Sequence, residues 1–214
     1  MSGEPNERVP RVSAVATGRG DDGTTGLLFG GDRIPKDDLR TEAYGTIDEA
    51  VAALGLARAE LELKRQLDVL PPALDEIATL ILRIQRELFV AGAEMAANPA
   101  AWDRLRDGAT SVSAGMVAGI DAELEDYEAR IAFPTEFVVP GETRTSAALE
   151  LARTILRRAE RRTVALRRAA LVPGAHLLPY LNRLADLLWV LARAAEQAEA
   201  RSATPARESE SSAY

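Results

Sequence analysis

Five stretches of this chain repeat apolar residues every three or four positions, and most are closed by proline, a pattern that commits the chain to helices packed on helices. The first runs from about residue 40 to 67, with Ala43, Ile47, Val51, Leu54, Ala57 and Leu61 in phase before Pro71-Pro72. The second opens at Pro72 and carries Leu74, Ile77, Ile81, Ile84, Leu88 and Ala91 toward Asn98-Pro99. A third starts from a serine cap at Ser111 or Ser113, with Met116, Ile120, Leu124, Tyr127 and Ile131 inward, and stops before Pro134. The fourth covers about 145 to 171, turning Leu149, Ala152, Leu156, Ala159 and Val164 inward until Pro173-Gly174. The fifth, from about 177 to 201, spaces Leu177, Leu181, Leu184, Leu188 and Leu191 by alternating fours and threes, the seam of a bundle partner. The expected fold is all-α, a five-helix up-and-down bundle.

Composition narrows the chemistry. No cysteine is present and His176 stands alone, which excludes disulfides, thiolate sites and multi-histidine metal sites. The expectation is therefore no metal site built by the protein itself. A net charge of −7 argues against a general nucleic-acid binder. Apolar runs are broken before the roughly 18 residues of a membrane span. No signal-peptide pattern opens the chain, so the expected compartment is cytoplasmic with no membrane partner. Residues 1–11 and 202–214 are polar and unpatterned and read as disordered tails around a domain at 12–201.

Two segments stand out from the bundle pattern. Between Val12 and Asp38 lies a long loop, in which Gly20, Gly23 and Gly26 permit positive φ and close approach of backbone N–H groups to an anion. Thr24 and Thr25 add hydroxyls, and Lys36, at the exit, is one of only two lysines. The spacing is not that of a Walker A loop, and an ordinary surface loop with Asx turns fits equally well. On the fourth helix Arg153, Arg157 and Arg161 fall at i, i+4 and i+8, with Arg158 on the adjoining face. Like charges in register repel, so the row needs carboxylates, a polyanion or plain solvation. Asp48 lies between Ile47 and Val51, close enough to the core side to want a partner, and the fourth-helix arginines are available. Asn182 and Asp186 share a polar strip on the fifth helix. His176 reads as a helix-start or turn residue.

These segments together resemble a known family. The run Gly20-Asp21-Asp22-Gly23-Thr24-Thr25, then Arg33-Ile34-Pro35-Lys36, then Glu42-Ala43-Tyr44-Gly45-Thr46-Ile47-Asp48-Glu49 is similar to the N-terminal signature of PduO-type ATP:cob(I)alamin adenosyltransferases. Phe137-Val138-Val139-Pro140-Gly141, Ala152-Arg153-Thr154 with Arg157-Arg158-Ala159-Glu160-Arg161-Arg162, and Tyr180-Leu181-Asn182-Arg183-Leu184 with Asp186 resemble three further blocks in the family's order. The resemblance implies a homotrimer with active sites between subunits. It also implies transfer of the 5′-deoxyadenosyl group of ATP to the cobalt of cobalamin or a related corrinoid, with release of triphosphate. ATP, Mg²⁺ and the corrinoid are the small molecules implied, with a reductase and an adenosylcobalamin-dependent mutase as partners. A noncatalytic escort that binds ATP or adenosylcobalamin is the alternative.

By the same resemblance, Thr17, Gly18, Arg19, Gly20, Thr25, Gly26 and Lys36 would hold ATP together with Arg157, Arg158, Glu160, Arg161 and Asn182. Arg153 would pair with Asp48 across the subunit interface, and Arg157 would meet the triphosphate. Phe137 would sit beneath the corrin and displace the lower axial ligand, with Asp186 on the corrinoid side; read without the family, an aromatic on this extended link is core packing. The chain departs from the family pattern at Gly18, where a lysine is usual, at Glu142 and at Glu150.

Overall fold

The computed structural model describes residues 15–207, and the tail read at 1–11 lies outside the described residues. The five helices form as expected: α1 (Leu39–Gln66), α2 (Pro72–Ala96), α3 (Ala114–Arg130), α4 (Arg144–Arg168) and α5 (Leu177–Ala198). Local chemistry sets their ends. Asp38 caps α1 by accepting the Arg40 N–H at 2.9 Å. Pro72 occupies the first turn of α2, where a missing N–H costs nothing. Ser113, one of the two serines proposed, caps α3 by accepting the Met116 N–H at 3.2 Å. Thr143 and Ser146 cap α4 reciprocally, and His176 takes the N-cap position of α5.

α1 packs against both α2 and α4, α5 closes the ring by touching α2 and α4, and α3 lies along α5. The pairs α1/α2 and α4/α5 follow the short connections. α3 packs mainly on α5 rather than on its sequence neighbours, because a short 3₁₀ helix (Pro99–Arg104) and the extended link after Ile131 carry it across the bundle, and it is tied to α2 by the ion pairs Arg83–Glu123 and Arg130–Glu76. Small residues line much of the buried faces of α1 and α4, among them Ala43, Ala50, Ala53, Ala57, Ala148, Ala152 and Ala159, and permit close helix approach. The α5 seam Leu177, Leu181, Leu184, Leu188 and Leu191 is buried, each side chain contributing about 1.5–3 kcal/mol of transfer free energy. Val164 is only half-buried, because the helix phase turns Thr163 and Leu166 inward instead. Among the described residues no helix is long and apolar enough to cross a membrane.

A buried carboxylate ties one end of the bundle together. Glu94, near the end of α2, accepts from Val112 N–H at 2.7 Å and Ser111 Oγ at 3.1 Å. Burial pushes its carboxyl above the ordinary range, against those two hydrogen bonds. Gly174, between α4 and α5, passes so close to Glu94 Oε1 that a Cβ there has no room.

Two small ladders complete the fold. β1 (Thr24–Thr25) pairs antiparallel with β2 (Ile34–Pro35), and β3 (Val138–Val139) with β4 (Thr204–Pro205). The second is a correction to the tail read from residue 202: Ala206 N–H also donates to Phe137 O at 2.6 Å, which carries the chain end onto the Phe137 link. Local hydrophobic period could not reveal a pairing between segments so far apart in sequence.

Candidate functional site

The N-terminal loop is more ordered than a run of glycines implies. Arg33 braces it from inside, its Nη2 donating to Arg19 O and Thr24 O, both at 2.7 Å, and its Nε to Thr24 Oγ1 at 2.6 Å. Asp22 accepts from Thr24 N–H at 2.9 Å and Thr24 Oγ–H at 2.8 Å, and these bonds hold its carboxyl below the usual value. Of Gly20, Gly23 and Gly26, only Gly23 has positive φ, at 78°; Gly18 has it too, at 68°. Gly20 leaves room for the lysine: a Cβ there would lie 2.9 Å from Lys36 Nζ, so a larger residue would displace the lysine tip. The loop thus folds the Lys36 ammonium over Gly20. Thr17 and Gly26 are exposed at its rim.

The loop is fastened to the far end of α2. Leu28 N–H donates to Ala96 O at 2.8 Å, Asn98 N–H to Leu28 O at 3.0 Å, and the Asn98 amide to Gly30 O at 2.7 Å. Asp48 belongs to this side as well. With Leu28, Tyr44, Val51, Phe89 and Gly92 it lines an apolar groove of about 360 Å³ between α1 and α2. The core-side placement read from its apolar neighbours is corrected, since Asp48 is exposed. It makes no ion pair with Arg153 within the chain.

α4 presents the arginines on two adjoining faces. Arg158 and Arg162 turn toward α1, where Arg158 pairs with Glu49, and Arg162 reaches Glu42 at 2.7 Å and the Thr46 hydroxyl. Arg157 and Arg161 point outward, and among the described residues neither guanidinium has a carboxylate partner; Arg161 Nη1 donates only to Arg157 O, at 2.9 Å. Arg153 is half-buried and holds Glu150 Oε2 through Nε at 2.6 Å. On α5 the Asn182 amide donates to Glu160 Oε1 at 3.3 Å. Farther along the same pair of helices Arg193 meets Glu150. In that antiparallel register Asp186 stands level with Arg157, and Trp189 with Arg153.

Beside Arg153 opens a cleft of about 520 Å³, lined by Pro134, Glu136, Phe137, Pro140, Arg153 and Trp189 among others. Phe137 is 91% exposed, so the core-packing reading of this aromatic is ruled out within the chain. Arg157, Arg161, Glu160, Asn182, Asp186, Arg153 and Phe137 therefore share one side of the molecule. The loop, Lys36 and Asp48 share another. No hydrogen bond or ion pair joins residues 17–36 to α4 among the described residues.

Sequence reasoning gave no role to Arg33, Trp189, Arg193 or Glu196. Arg193 and Glu196 are each 1% exposed. Their signal was available: an arginine and a glutamate three residues apart on the apolar face of a helix require partners. Among the described residues no group of three or more His, Cys, Asp or Glu side chains is placed to hold a metal ion.

The family described as cobalamin adenosyltransferase matches residues 15–195. A corrinoid adenosyltransferase of Citrobacter freundii is 36% identical over 185 residues, covering 85% of this chain and 94% of the relative. A cobalamin adenosyltransferase of Cupriavidus metallidurans is 37% identical over 188 residues, covering 88% and 91%. Among solved structures, a variant PduO-type ATP:corrinoid adenosyltransferase from Lactobacillus reuteri, complexed with cobalamin and ATP, superposes with a TM-score of 0.76 at 26% identity, covering 92% of this chain and 98% of that one.

Proposed function

The chain belongs to the cobalamin adenosyltransferase family, and from that membership we propose that its two separate candidate faces are halves of one catalytic site, joined when copies associate as a homotrimer. The reaction is transfer of the 5′-deoxyadenosyl group of ATP to the cobalt of a corrinoid. Co(I) supplies an electron pair to C5′, the Co–C bond forms, the C5′–O bond breaks, and triphosphate leaves with the bonding electrons. No side-chain nucleophile is required. Catalysis consists of aligning C5′ with cobalt and stabilising the leaving triphosphate.

In this reading the braced loop of one chain supplies Thr17, Gly18, Arg19, Gly20, Thr25, Gly26 and Lys36 to the ATP. The neighbouring chain supplies Arg157, Arg158, Arg161, Glu160 and Asn182. Arg157 and Arg161 suit the triphosphate because they reach solvent without a carboxylate to neutralise them. Arg158 is shared with Glu49 and contributes from the α1 side. Arg153 reaches Asp48 of the partner subunit and so closes the two halves. Phe137, projecting into the open cleft, excludes the lower axial ligand of the corrinoid, and Asp186, exposed on α5, serves the corrinoid side. Magnesium enters on the triphosphate as Mg-ATP; among the described residues no cluster of three or more His, Cys, Asp or Glu side chains builds a separate cage for it, and no step depends on one. A reductase would deliver the electron, an adenosylcobalamin-dependent mutase would take the product, and a reducing cytoplasm suits a Co(I) substrate.

The observation that carries the reading is the division of the candidates: the loop and Asp48 do not meet the α4 row within one chain, yet both present anion- and cation-binding groups outward. The activity is tested by adding the protein and Mg-ATP to cob(I)alamin and following absorbance. The Co(I) spectrum is expected to convert to that of adenosylcobalamin, with triphosphate released in equal amount. Persistence of the Co(I) spectrum under these conditions contradicts the assignment.

A further inference from the structure

Glu150 lies one helical turn before Arg153 on α4 and is 4% exposed. Its carboxylate is divided between two guanidiniums: Oε2 accepts Arg153 Nε–H at 2.6 Å, and Oε1 accepts Arg193 Nη1–H at 3.2 Å. Arg193 is in turn gripped by Glu196 through two parallel bonds, Nε to Oε2 and Nη2 to Oε1, both at 2.8 Å. Its guanidinium also lies 5.4 Å from the Trp189 ring, which forms part of the Phe137 cleft. The chain Glu196, Arg193, Glu150, Arg153 therefore runs from the core of α5 to the edge of the cleft, with two carboxylates and two guanidiniums.

We propose that Glu150 is a positioning residue: anchored by Arg193 and Glu196, it pins Arg153 by its Nε so that the two terminal nitrogens face the cleft and the partner subunit. This deepens the proposed function and rests on its reading of Arg153. The geometry carries the idea. Arg153 has four rotatable bonds and would sample many orientations on a helix surface. Nε is the one atom of the guanidinium fork engaged among the described residues, which leaves Nη1 and Nη2 for a carboxylate or a substrate. A buried ion cluster adds little net stability over apolar packing, so its contribution here is a fixed orientation. Held this way, Arg153 is aimed before substrate arrives, and the ordering cost is absent from the reaction.

The test uses the full chain with Glu150→Asp, which keeps the charge but shortens the reach by one methylene, alone and combined with Arg153→Ala. Glu150→Asp is expected to lower kcat/KM for the corrinoid by about tenfold or more while leaving KM for Mg-ATP within about twofold, with the melting temperature lowered because the buried Arg193 loses part of its partner. In the Arg153→Ala background the same change is expected to cost nothing further. If that background turns over too slowly, the cycle is read from the Kd for cob(II)alamin by absorbance titration. Should the shorter side chain unsettle the fold, Glu150→Gln, isosteric but with a single acceptor oxygen, repeats the cycle. An unchanged kcat/KM in Glu150→Asp, or an equal loss with and without Arg153, overturns the proposal. Normal turnover by Arg153→Ala itself would instead sink the role given to Arg153.

Discussion

Replacing Arg157 with alanine is expected to lower kcat by about 10²–10³, the effect of removing one preorganised donor from a developing negative charge. Helical content should not change. Arg157 is exposed, its guanidinium has no ion pair among the described residues, and only its backbone carbonyl is used, by Arg161. Stability should therefore stay within roughly 0.5 kcal/mol of the parent, as for surface positions without partners. The contrast with Arg162 is instructive. That side chain bonds Glu42 and Thr46 across the α1/α4 interface, so its truncation would mix structural and catalytic losses. Full activity of Arg157→Ala, measured with saturating Mg-ATP and cob(I)alamin, would remove the central cation from the mechanism.

Phe137→Ala is expected to discriminate between the two oxidation states from which the reaction can start. In the proposed placement Phe137 lies beneath the corrin and keeps the lower axial ligand away, and a four-coordinate cobalt is easier to reduce. Turnover from cob(II)alamin with a reductant should fall by about an order of magnitude more than turnover from preformed cob(I)alamin, because only the former includes the reduction that Phe137 is proposed to assist. At 91% exposure the ring supports no core, so the comparison is free of a folding defect. Equal slowing from both starting states would show that Phe137 merely shapes the cleft.

The helices were legible because their signals are local. Prolines at 71, 72, 99, 134 and 173 punctuate the chain, and the leucine phase of α5 defines which face is buried. The split of the arginines into two faces was also legible, since a rotation of 100° per residue separates positions 157 and 161 from 158 and 162. What each guanidinium would bind was not. Arg158 and Arg162 find Glu49 and Glu42 more than a hundred residues earlier, and Glu150 finds Arg193 through a helix pairing that no spacing rule encodes. Asp48 was misjudged because flanking apolar residues fix a neighbourhood on a helix, not the side of it a given carboxylate faces. The Thr204–Pro205 ladder onto Val138–Val139 was hidden in a stretch whose composition reads as tail. The arrangement of the candidates on two faces follows from three-dimensional packing: the loop is tied to the end of α2, while α4 packs on α1 and α5.

That two-faced arrangement makes the central claim open to one direct measurement. Lys36→Ala removes the loop cation, and Arg157→Ala removes the α4 cation. Each variant alone should be nearly inactive. When the two are unfolded together and reassembled, a site formed between neighbouring chains needs only an intact loop from one and an intact α4 from the next. Random assortment then returns about a quarter of the parent activity per site. A mixture no more active than the sum of its two components would contradict the account, because it would mean that loop and helix serve the same chain.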